Sequence, residues 1–195
     1  MRLFSLIGAL IVTCSINAQV KLTPRTFDNG FKYPYAVVPA NKSLEDTINA
    51  EVQSAIADLK ASDFCIGEYG YVQKGSHMEI HMLCNCIDMQ QSEHRYIFLN
   101  LETGKIVPHK NLFDSNKEND ALSFIKKNVA DYKAANQSCT DDFKALGDDL
   151  TYESIDIRLY KDGIEIRPAG SSNCNKNTLR ITWAELNSYL RYNFL

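Results

Sequence analysis

Residues 65–86, CIGEYGYVQKGSHMEIHMLCNC, constrain this chain more than any other stretch. Apolar and polar side chains alternate on either side of a central Lys-Gly, and a period of two is what a hairpin with two unlike faces requires. A two-residue loop at Lys74 and Gly75 pairs Tyr71 with Met78, Tyr69 with Ile80, Gly67 with Met82 and Cys65 with Cys84, so one face is nearly all apolar. The other face then sets Val72 against His77, Gly70 against Glu79, Glu68 against His81 and Ile66 against Leu83. A slip of one residue would destroy that segregation, which selects this register. Tyr69 and Tyr71 accordingly belong to the core, and the histidines and acids to a solvent-facing surface.

The flanking sequence builds on this hairpin. In SLEDTINAEVQSAIADLKAS, Ser43 can cap a helix whose stripe is Ile48, Val52, Ala55, Ile56 and Leu59, and that stripe needs a sheet to lie on. HRYIFLNL returns as a third strand with Tyr96 and Phe98 beside Cys84 and Met82; ETGK turns at Gly104, and KIV continues the meander. Pro24, Pro34 and Pro39 mark an extended lead-in with a strand near YAVV. Helices are expected in ALSFIKKNVADYKAA, with Leu122, Ile125, Val129 and Tyr132 as its stripe, and in TDDFKALG. SIDIRLYKDGIEIRP forms a second hairpin with Asp162-Gly163 as its turn, and Thr182 with Glu185 makes a capping box for a helix carrying Leu186 and Leu190. The fold class that follows is α+β, an antiparallel meander sheet with helices packed on one face, in a single domain over residues 19–195.

Residues 1–18 are the exception. Arg2, the apolar run LFSLIGALIV and the small residues before Gln19 have the layout of a signal peptide cleaved after Ala18. The run falls short of the roughly 20 residues a bilayer span needs, so the mature chain is expected to be extracytoplasmic, periplasmic or secreted, with no membrane span. Cys14 offers the alternative of a lipoprotein, which Thr13 disfavours because a smaller residue usually stands there. Net charge is −3 with no basic tract, so nucleic acid and anionic membranes are poor partners.

Export bears on the cysteines, because thiols pair in oxidising compartments. Cys65, Cys84, Cys86, Cys139 and Cys174 are an odd number. Opposed strand residues bring Cα atoms within disulfide range, so Cys65–Cys84 is the first candidate, with Cys65–Cys86 reached by a bulge; Cys139 and Cys174 are left as a long-range pair and Cys86 as the odd thiol. His77, Glu79 and His81 share a strand face, with Glu68 across from His81, and two imidazoles with a carboxylate could converge on zinc. The competing arrangement is a surface pair of Glu68 and His81 without metal. No nucleophile elbow, no helical H-E-x-x-H and no Gly-rich phosphate loop is present, so no catalytic residue and no cofactor is assigned. A distributed site could draw on His94 and His109, although His109 is placed in a surface loop.

HRYIFLNLETGKIVPHKNLFD resembles the segment in which a strand ends in a D/N-L-x-T-G-K turn and leads to a D/N-L-F loop in the extracytoplasmic domain of RsiV-like anti-sigma factors and PdaC-like peptidoglycan deacetylases. IRLYKDGIEIRPAG and LRITWAELNSYL resemble that domain's later hairpin and its final strand and helix, so the resemblance runs from about residue 32 to the end. Ala169 stands where the family usually has an aromatic after the proline. The resemblance implies an exported α+β domain that binds or senses a cell-wall component or a secreted protein such as lysozyme. The alternative is a small envelope hydrolase, metal-assisted through the face of His77, Glu79 and His81. N-terminal sequencing of the exported protein should return Gln19 as the first residue; an intact leader, or acylation of Cys14, would refute this cleavage site.

Overall fold

A computed structural model of the chain describes residues 19–61, 65–86, 93–135, 150–168 and 178–192. The leader, the expected helix in TDDFKALG, Cys139 and Cys174 lie outside these residues. Strands β1 (Lys21–Thr26) and β2 (Lys32–Val37) form an antiparallel pair, and helices α1 (Lys42–Ala55) and α2 (Ala57–Ala61) follow. The central sheet is the meander β3 (Cys65–Lys74), β4 (His77–Cys86) and β5 (Glu93–Asn100). After a 3-10 turn at His109–Leu112 and helix α3 (Glu118–Ala135), a second meander comprises β6 (Ile155–Tyr160), β7 (Gly163–Pro168) and β8 (Leu179–Thr182), closed by helix α4 (Trp183–Leu186). The fold is α+β with three antiparallel sheets. No helix among the described residues is long and apolar enough to cross a membrane.

The central sheet is covered on both faces. Against one face, Met78, Ile80, Met82, Cys84, Ile97 and Leu99 pack under Ile48 and Val52 of α1, Ile56 at its C-cap and Leu59 of α2, with Tyr33 and Ala36 of β2 and Phe31 just before it. The helix stripe therefore lies where its periodicity places it, with one polar addition. Asn49 is buried, and its side-chain amide accepts from the N–H of Ala36 at 2.8 Å and donates to the Ala36 carbonyl at 2.9 Å, standing in for a neighbouring strand. The cap of α1 is Asn41, whose side chain accepts from the N–H of Leu44, rather than Ser43. Against the other face lies a second core in which Phe98 meets Leu112, Ile125, Val129, Ile157, Ile164 and Trp183 among others. The surface expected to face solvent is the floor of this second layer.

Both hairpins turn one residue away from their expected positions. Lys74 pairs with His77, so the first loop is Gly75-Ser76, and Gly75 adopts a φ of 53°, which glycine takes without steric penalty. Every cross-strand partner moves by two residues: Tyr69 faces Met82, Gly67 faces Cys84, and Cys65 faces Cys86 rather than Cys84. A shift of two preserves the faces, so the apolar segregation survives while the first disulfide candidate does not: Cys84 is a buried free thiol. In the second hairpin Tyr160 pairs with Gly163 and the loop is Lys161-Asp162. That register puts Leu159 opposite Ile164 and Ile157 opposite Ile166, keeping five apolar side chains of this hairpin in the core. Tyr96 and Phe98, expected beside Cys84 and Met82, instead pair with His81 and Glu79, on the opposite face. Ile106 makes a single bridge to Leu99 rather than a fourth strand.

Gly163 meets a packing constraint, since a Cβ there would lie 2.0 Å from the carbonyl oxygen of Ile181 in β8. Gly163→Ala should therefore destabilise the protein by about 1–3 kcal/mol in chemical denaturation, through forced separation of β7 from β8. Gly70→Ala, where a Cβ meets nothing within 4 Å, should change stability by less than about 0.5 kcal/mol.

Candidate functional site

The three residues singled out on β4 take three separate roles. His77 is fully buried, stacked on Phe98 with ring centroids 5.2 Å apart and tilted against Tyr192 at 5.4 Å. Neither of its ring nitrogens has a hydrogen-bond partner among the described residues, and burial lowers its pKa from 6.5 to about 4. It is a neutral core imidazole, not a solvent-facing one. Glu79 is also buried, and its Oε2 accepts from Nε2 of His109 at 2.8 Å and from the backbone N–H of Leu159 at 3.1 Å. His81 is half-buried and stacks almost parallel on Tyr96 at 4.5 Å, with its Nε2 2.9 Å from Nδ1 of His94. Its pKa is lowered, first by burial and then by the charge of His94, Arg158 and Arg167.

These placements separate the proposed metal ligands. Glu68 is exposed and pairs across the strands with Leu83, while His81 pairs with Gly70. Among the described residues no three His, Cys, Asp or Glu side chains are placed to share an ion. Cys84, opposite Gly67 on the other face, has its pKa raised by burial, which suits an inert core thiol rather than a reactive one. His109 is drawn out of its expected loop role by Glu79 and by stacking on Phe98 at 4.5 Å.

The bond from Leu159 to Glu79 joins the two sheets. β6 is an edge strand, and the outward N–H of Leu159 finds a carboxylate of the central sheet instead of another strand. Beside this junction the layers part into a cleft of about 390 Å³. Its floor is Gly70, Val72, Glu79, His81 and Tyr96 of the central sheet. Its wall is Arg158, Leu159, Tyr160, Glu165 and Arg167 of the β6–β7 hairpin, and Tyr71 stands at the rim. Tyr160 is 37% exposed at the cleft, whereas Tyr71, expected in the core, is 50% exposed at the sheet edge and pairs with Ile80, on the face opposite the floor.

The electrostatics of this cleft centre on its arginines. The guanidinium of Arg158 lies over the Tyr96 ring, 3.6 Å from its centroid, and donates to the Tyr96 hydroxyl at 2.7 Å. The Arg158 side chain is only 15% exposed, yet its nearest carboxylate, Asp156, is 3.6 Å away. Glu165, by contrast, is held by Arg180 at 2.9 Å and by Arg167 at 3.5 Å. Nε of Arg167 is buried with no partner among the described residues. Arg158, Tyr160, Glu165 and Arg167 were not picked out from the sequence, although the alternation in SIDIRLYKDGIEIRP sets them on one polar face, with Arg158 opposite Glu165 and Asp156 opposite Arg167.

No protein-family model matches this chain, and no curated protein matches it in sequence. Among solved structures it is similar to a DUF3298 family protein from Pseudomonas aeruginosa PAO1, with 9% identity over 91% of this chain and 95% of that one and a TM-score of 0.51. It is also similar to a DUF3298 member from Bacteroides fragilis NCTC 9343, with 12% identity over 90% of this chain and 93% of that one and a TM-score of 0.47. The first likeness defines the class: the chain has the fold of a DUF3298-type domain, a domain of unknown function.

The buried imidazole makes a prediction about acid. His77 has a folded-state pKa of about 4 against 6.5 for an exposed histidine, so between these values the unfolded chain binds the extra proton. The stability is fully present above pH 6.5 and falls by up to about 3 kcal/mol as pH drops toward 4. His77→Phe should flatten that part of the pH–stability profile in urea denaturation, and an unchanged slope would show that His77 is not the group responsible.

Proposed function

We propose that the protein is a non-catalytic extracytoplasmic binding module, exported by residues 1–18, that takes a cell-envelope ligand in the cleft between the central sheet and the β6–β7 hairpin. The observation that carries this is the cleft itself. Its volume of about 390 Å³ is in the range of small-molecule sites, its wall presents the half-exposed Tyr160 and guanidinium groups, and Tyr71 borders it at the sheet edge. Tyrosine and arginine are the side chains most enriched where proteins recognise ligands, because each joins a large contact surface to a polar tip.

The resemblance to RsiV-like and PdaC-like domains supports the envelope as the source of the ligand. Between a cell-wall component and a secreted protein such as lysozyme, the concavity favours the cell-wall component, since a pocket of this size accommodates a sugar or short peptide rather than a protein face. Hydrolysis has one observation in its favour, the buried Glu79–His109 pair, which has the form of a base and its orienting acid. Glu79 is, however, also bonded to the Leu159 backbone, and the pair thereby serves to join two layers of the fold.

Co-sedimentation with purified cell-wall sacculi tests the proposal. The protein should pellet with the sacculi, and the double variant Tyr71→Ser, Tyr160→Ser should lower the bound fraction severalfold while keeping its melting temperature. Equal pelleting of wild type and variant, or none by either, would remove the cleft from consideration.

A further inference from the structure

Arg158 is a cation drawn most of the way out of water, with one half-exposed carboxylate as its counter-ion. Its five N–H donors include one bonded to the Tyr96 hydroxyl, and its only carboxylate neighbour among the described residues stands at 3.6 Å and is itself 46% exposed. Withdrawing a guanidinium from solvent is unfavourable unless anions meet it, so a side chain 15% exposed that lines a cleft, with one terminal nitrogen on a neutral hydroxyl and the other on a half-exposed carboxylate, has donor capacity left for a ligand anion. Stacking on Tyr96, which in turn stacks on His81, fixes the plane of the fork before any ligand arrives. Arg167 lines the same cleft, and its charge reaches both His81 and Tyr96, as does that of Arg158.

Resting on the reading of this cleft as the binding site, we propose that its ligand carries a carboxylate, gripped by the planar fork of Arg158 with Arg167 as the second cation. A guanidinium matches a carboxylate through two parallel N–H···O bonds, a geometry that an ammonium cannot supply. Glu79 and Glu165 also line the cleft, Glu79 held by His109 and the Leu159 N–H and Glu165 by Arg180 and Arg167, and the repulsion of these two carboxylates weighs more heavily on a phosphate dianion than on a carboxylate monoanion. Tyr160, on the same face of β6 as Arg158, then covers the uncharged body of the ligand. Carboxylates of this kind occur in the envelope on acidic sugars and at peptide C-termini.

Isothermal titration calorimetry of the full chain with matched probes separates these sources. N-acetylmuramic acid is compared with N-acetylglucosamine, which lacks the carboxylate, and acetyl-alanyl-alanine with its C-terminal amide; inorganic phosphate is the third anion. At least one acid should bind about tenfold or more tightly than its neutral match and more tightly than phosphate, and which acid does so identifies the source. Arg158→Lys, which keeps the charge and loses the fork, should weaken that acid by about tenfold, as should Arg167→Gln, whereas Arg25→Gln on β1 should leave it unchanged. Thermal melting confirms that each variant is folded, and if Arg158→Lys does not fold, Arg167→Gln carries the comparison. Equal affinity for acid and neutral match, an unchanged Arg158→Lys, preference for phosphate, or no binding by any probe overturns the carboxylate assignment. The binding-module proposal falls separately, through the sacculus experiment.

Discussion

The architecture depends on one buried carboxylate. Glu79 projects from β4 into the space between the central sheet and the second meander, where it accepts from the Leu159 backbone and from His109. A charge so placed would be costly alone, and its two donors make it tolerable. In return it satisfies the exposed N–H of an edge strand and fixes how β6 crosses the central sheet. The cleft opens beside that crossing, so the same bond that joins the layers also sets the distance between the tyrosine and histidine floor and the arginine wall.

Around Glu79 the aromatic side chains sort into two stacks on one sheet face. His77, Phe98 and His109 form the inner one, sealed in the second core; His94, His81, Tyr96 and Arg158 form the outer one, which leads into the cleft. Four positions along β4 thus pass from core to site. This is why a constellation that reads as a metal site in one dimension performs other work in three: alternate residues on a strand share a face, but the elements covering that face divide it into unlike environments.

Two competing rules met in the hairpins, and their outcomes are instructive. In SIDIRLYKDGIEIRP a loop at 162–163 and one at 161–162 both keep Ile155, Ile157, Leu159, Ile164 and Ile166 on one face, but the first sets Lys161 against Ile164, whereas the observed loop at 161–162 sets Leu159 against Ile164 and Ile157 against Ile166; apolar cross-strand pairing outweighed the Asp-Gly turn preference. Around Gly75 both registers keep the faces intact, so the positive φ of the glycine decided instead, and with it the partner of every cysteine in the hairpin.

Much was legible in the chain itself because it is local or periodic. Alternation assigned the two faces of β3 and β4, a stripe of Ile48, Val52, Ile56 and Leu59 identified the inner surface of the first helices, and the Thr182–Glu185 box marked the start of α4, with both reciprocal bonds in place. What covers a face is not local. His77 and Glu79 are buried by segments that arrive later in the chain, with Leu159 lying 80 positions beyond Glu79, and no pattern within β4 encodes that arrival. Periodicity decides which side a residue takes; only the packing of distant elements decides whether that side meets water, another ring, or the guanidinium of an arginine.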